Sequence, residues 1–107
     1  MITARFLEEE GIPFGFEISG HAGHAEFGND IVCASVSSAA YLTANGITDV
    51  ILCEAEASVD EQGRMRLILE DRENAIAVEM IRSLIFHLEN LAKDYPKNLK
   101  VFFDTEV

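Results

Sequence analysis

His21 and Cys33 stand at the two ends of one glycine-rich stretch, Gly20-His21-Ala22-Gly23-His24-Ala25-Glu26-Phe27-Gly28-Asn29-Asp30-Ile31-Val32-Cys33. Their types can do chemistry together. A thiolate attacks carbonyl carbon, and a neutral imidazole can take the thiol proton and later return it to a leaving amine. Asp30 is expected to open a helix by accepting bonds from the free N–H groups of its first turn. Cys33 then falls in that turn, where the positive end of the helix favours a thiolate and backbone N–H groups can bind an oxyanion. Asp30 could instead orient the imidazole as the third member of a triad. Ser37, one turn beyond Cys33 on the same face, could bond a substrate backbone or the helix's own carbonyls.

Other readings of these residues compete. His21, His24 and Cys33 could be three metal ligands with an open fourth position. No fourth ligand stands out, however, and a loop made permissive by Gly20, Gly23 and Gly28 is poorly pre-organised for an ion. The expectation is therefore no metal and no cofactor, with His24 exposed and without a role. Cys33 could also be a plain packing residue, since free cysteine is among the most buried types. Cys53, at the end of Val50-Ile51-Leu52-Cys53, reads as core packing, and His87, between Phe86 and Leu88, as structural. Gly20-His21-Ala22-Gly23 is not a phosphate loop, because no Gly-Lys-Ser/Thr follows and no GxGxxG occurs.

The flanking pattern supplies the elements that must position these groups. Ile2 to Leu7 reads as a strand, broken at Glu8-Glu9-Glu10-Gly11-Ile12-Pro13. Phe14, Phe16 and Ile18 alternate with Gly15, Glu17 and Ser19, which predicts a second strand with three large residues on one face, paired to the first as a hairpin. A helix from about Asp30 carries Ile31, Val32, Val36, Ala39, Ala40 and Thr43, with Asn45-Gly46 as its stop. Asp49 to Ala57 is expected to be a strand centred on Val50 to Cys53, with Ser58 to Gly63 as a turn and Arg64 to Leu69 as the returning strand. Glu70 to Asn74 leads into a second helix with the stripe Ala77, Met80, Ile81, Leu84, Leu88, Leu91 and Tyr95, ended by Pro96. Leu99 to Phe103 is a last short strand. The sum is one α+β domain over residues 1–107, order ββαββαβ, with two helices packed on a mostly antiparallel sheet.

Bulk properties narrow the function. With 19 acids against 8 bases the net charge is −11, which disfavours direct nucleic-acid binding, a process that runs on neutralising phosphates. The same charge can steer a basic partner. Two cysteines do not make a disulfide framework. No run of apolar residues is expected to suffice for a membrane span, and Met1 to Phe6 has no signal-like pattern, so the expected location is cytoplasmic.

At Gly20-His21-Ala22 and at Asp30-Ile31-Val32-Cys33-Ala34, continuing into Val36-Ser37, the chain resembles the bacterial ribosomal-processing cysteine protease Prp family. The resemblance extends over essentially the whole chain. It implies a small α+β domain that forms homodimers and removes a short N-terminal extension from the large-subunit ribosomal protein L-twenty-seven. It further implies Cys33 as nucleophile, His21 as base, assistance from Asp30 and Ser37, and a loop containing Gly20, Ala22, Gly23 and Gly28 that reorders around bound substrate. The contrasting reading, from a different class, is a non-catalytic ribosome-associated module that holds a basic peptide on the same acidic face.

Overall fold

The computed structural model describes residues 1–20 and 29–105, the side chains of Asn29 and Asp30 excepted. Five strands and two helices follow in the order β1 (Ile2–Glu9), β2 (Ile12–Ser19), α1 (Asn29–Asn45), β3 (Ala55–Val59), β4 (Met65–Leu69), α2 (Ala75–Asp94) and β5 (Leu99–Thr105). The sheet order is β3-β4-β2-β1-β5. All neighbours are antiparallel except β1 and β5, which run parallel. A parallel neighbour needs a long crossover, and α2 provides it.

Alternation along the strands sends one set of side chains into a core shared with both helices. Ile2, Ala4 and Phe6 of β1, Phe16 and Ile18 of β2, and Met65, Leu67 and Leu69 of β4 meet Val32, Val36, Ala40 and Ala44 of α1 and Ala77, Ile81, Leu84 and Leu88 of α2. Phe6 lies at the centre, its ring centroid 6.1 Å from that of Phe16 and 6.0 Å from that of Phe103. On the opposite face Arg5 reaches Asp104 at 2.6 Å and Glu17 at 3.6 Å. Such half-exposed pairs contribute about 1 kcal/mol or less each.

The expected hairpin, the returning strand and the second helix all form. Asn74 caps α2, its side-chain oxygen accepting from the Ala77 N–H at 3.0 Å. The expected stripe of Phe14, Phe16 and Ile18 on β2 is interrupted, however. A bulge between Leu7 and Glu8 skips Phe14 in the register. Phe14 is still buried, under the Arg72 guanidinium 3.6 Å from its ring centre.

Three expectations around α1 are corrected. Asn45-Gly46 does not stop the helix, which widens into a π-helical turn over Gly46–Val50 with Ile51 N–H bonding to Gly46 C=O at 2.9 Å. A Cβ at Gly46 would meet the Met80 Cε of α2, the movable end of a flexible side chain. The apolar run after it is not a strand. Val50 and Leu52 are exposed, Leu52 sits at φ 55°, Ile51 packs partly against the core and Cys53 is buried. The left-handed residue redirects the chain, so β3 starts at Ala55. The segment Ile31–Val50 is moreover long and apolar enough for a membrane span by length and composition alone, contrary to expectation. Its residues Val32, Val36, Ala40, Ala44 and Ile47 are taken up in the core.

Candidate active site

Three strand ends meet at one end of the sheet. Thr3 is opposite Ser19, and Ile18 is opposite Met65. The start of β1, the end of β2 and the start of β4 are therefore side by side, and α1 crosses over them. A pocket of about 230 Å³ opens there. Its apolar lining is Ile2, Ile18, Val36, Ala40 and Met65, and its polar or reactive lining is Cys33, Ser37 and Tyr41 from α1. Gly20 closes one side, and Gln62 and Gly63, from the turn between β3 and β4, close another.

Cys33 is half-buried. The helix starts at Asn29, one residue before the expected cap. Cys33 is thus in the second turn, where its own N–H falls into the i to i−4 pattern with Asn29. The free amides are those just upstream, and a helical side chain leans toward them. Ser37 follows one turn later and lines the same pocket.

Gly20 holds the other approach. It has φ 83°, and a Cβ on it would collide with the Met1 carbonyl oxygen. Only glycine meets both demands without strain. Gly20→Ala is expected to lower stability by about 1–3 kcal/mol, read as a lower denaturant midpoint. An unchanged midpoint would show that the close approach to Met1 contributes nothing.

His21, Ala22, Gly23, His24 and Gly28 lie outside the described residues, as does the side chain of Asp30. Among the described residues no group of three or more His, Cys, Asp or Glu gathers to hold a metal ion. His87 is exposed and lines a separate groove of about 650 Å³ between α1 and α2, with Ala34, Ser38, Leu42 and Ser83. That groove is larger than the pocket at Cys33 but contains neither cysteine.

The second cysteine has an opposite environment. Cys53 is 5% exposed. Its Sγ faces the carbonyl oxygens of Glu54 at 3.7 Å and Asp71 at 3.8 Å. Burial raises its pKa, and the charges of Asp71 and Glu54 raise it further. Such a thiol stays protonated and packed, as the sequence implied. Thiol-directed reagents at neutral pH are expected to modify Cys33 and spare Cys53. Peptide mapping that finds Cys53 labelled first would reverse this assignment.

Sequence reasoning missed Gln62 and Gly63. They read as turn residues, and nothing in their types points across the sheet to a helix that begins some thirty positions earlier. The only usable signal was register: the turn ahead of β4 has to emerge at the end of β2, where Gly20 is.

The comparisons with known proteins agree on one family. The family model described as "Cysteine protease Prp" matches residues 1–100. The ribosomal processing cysteine protease Prp of Bacillus subtilis is 31% identical over 104 residues, 92% of each chain. The crystal structure of a ribosomal processing protease Prp from Staphylococcus aureus in complex with a substrate peptide superposes with TM-score 0.89 at 25% identity, covering 97% of this chain and 100% of that one. A second structure of that protease, with a covalently linked product peptide, gives TM-score 0.85 at 25% identity and the same coverage.

Proposed function

The chain belongs to the cysteine protease Prp family, and from that premise we propose that it is the endopeptidase that removes the N-terminal extension of ribosomal protein L-twenty-seven. The observation that carries this reading is that Cys33 and Gly20, the residue bonded to His21, line one pocket. Chain continuity from Gly20 is what supports His21 as the base for this thiol.

In this reading His21 takes the Cys33 proton, and the thiolate attacks the scissile carbonyl carbon, forming a C–S bond and an oxyanion. The amides upstream of Cys33 at the start of α1 stabilise that oxyanion. The imidazolium of His21 gives its proton to the leaving amine as the C–N bond breaks. Water then adds to the thioester, releasing the new carboxylate and the thiol. Asp30 orients the imidazole. Ser37 bonds the substrate backbone, and the apolar lining takes a substrate side chain out of water. The loop from Gly20 to Gly28 closes over the peptide, so that binding completes the site.

A charge of −11 suits a basic ribosomal substrate. The same reading carries with it a cytoplasmic homodimer that uses no cofactor. The test is incubation with extended L-twenty-seven, read by intact mass: one new species lacking the extension is expected. An extension left whole at stoichiometric enzyme would refute the proposal.

A further inference from the structure

The turn between β3 and β4 is held far more firmly than an exposed hairpin tip requires. The Asp60 carboxylate accepts from the backbone N–H groups of Gln62 and Arg64, each at 2.9 Å, and from Arg64 Nε at 2.9 Å. The main chain closes the same turn, Gly63 N–H donating to Asp60 C=O at 3.0 Å and Asp60 N–H to Arg64 C=O at 3.0 Å. Gly63 has φ 80°, with open space where a Cβ would be. The glycine is there for the backbone conformation, not for want of room. The Arg64 backbone N–H, and then its guanidinium, hold the Asp60 carboxyl below the usual carboxylate range. A depressed carboxylate pKa means the clamp is in force at neutral pH and is lost only as pH falls through that lowered value.

This fixed tip delivers Gln62 and Gly63 to the pocket that holds Cys33 and Ser37. Gln62 is exposed and lines the pocket with Cys33, and its side chain makes no hydrogen bond to any described residue. A peptide entering an apolar pocket must have its own N–H and C=O groups satisfied, or binding costs their desolvation. Ile2, Ile18, Val36, Ala40 and Met65 offer nothing for that purpose. A carboxamide offers a donor and an acceptor together, matching one peptide unit.

Building on the protease reading, we propose that Gln62 is a substrate-binding residue, its carboxamide pairing with the peptide backbone across the pocket from Cys33, and that Asp60 is the positioning residue that holds it there. The bound chain is then gripped between α1 and the hairpin tip, two elements with no sequence proximity.

The experiment compares Gln62→Ala and Asp60→Ala with the unaltered protein, using two Cys33 reagents and one substrate. The reagents are iodoacetamide, which needs no peptide site, and a peptidyl chloromethyl ketone carrying the residues that precede the cleavage point. Gln62→Ala is expected to slow inactivation by the peptidyl reagent about five- to tenfold, with iodoacetamide reacting as before. With extended L-twenty-seven the loss is expected in KM, not in kcat. Asp60→Ala is expected to do the same more weakly, with far-ultraviolet circular dichroism unchanged. An unchanged KM and peptidyl-reagent rate in Gln62→Ala overturns the assignment while leaving the protease reading intact. A loss shared equally by both reagents also overturns it, since that would place the effect on the thiol. An unaltered protein that neither cleaves the substrate nor prefers the peptidyl reagent removes both readings together.

Discussion

Cys33→Ala is expected to leave the extended ribosomal protein uncut, with the rate down by at least about 10⁴-fold, since removing a nucleophile leaves only what binding and oxyanion stabilisation can do. Among the described residues, Ser37 is a full turn away and Cys53 is buried elsewhere with a raised pKa. The fold should survive. Cys33 is half-buried in the pocket lining, and the substitution removes a single heavy atom and introduces the best helix former. A stability loss within about 1 kcal/mol is expected, measured by denaturant titration alongside an intact-mass time course. Cleavage at an undiminished rate would end the proposal that this thiol is the nucleophile.

His21→Ala is expected to lower kcat by about 10²–10⁴-fold, the range typical of a general acid–base. Its diagnostic is rescue. Imidazole added to the buffer should restore part of the activity of His21→Ala and none of the activity of Cys33→Ala, because the former lacks only a proton carrier. The two substitutions together should cost little more than Cys33→Ala alone, as befits groups that act as one unit. His24→Ala is the matched control, and full activity is expected of it. An inactive His24→Ala beside an active His21→Ala would exchange the two histidines' roles.

Strong periodicity made most of the fold readable in the sequence. The α2 stripe of Ala77, Ile81, Leu84 and Leu88 and the alternation of Met65, Leu67 and Leu69 each have one structural solution, and both form as expected. Val50 to Cys53 was misread because an apolar run bounded by turn residues fits a buried strand as well as a helix end. The helix carries on past Gly46 as a π-helical turn, and Leu52 at φ 55° then redirects the chain. The bulge at Phe14 and the parallel pairing of β5 were also invisible, since neither leaves a mark on local periodicity. At the site, the i, i+4 spacing of Cys33 and Ser37 translated directly into a shared pocket wall. The opposing wall came from register between strands, which single-sequence patterns do not encode.

The parallel partnership of β1 and β5 has a practical side. Leu99 begins beside Ile2, at the pocket end of the sheet, and the strand then runs to Thr105 beside Glu8. Seven residues of strand carry the chain about 20 Å from the pocket. A fluorophore or surface anchor attached beyond Thr105 would therefore stand at the opposite rim of the molecule, leaving the approach to Cys33 open. One attached ahead of Met1 would start beside Gly20 and compete with the peptide for the same space.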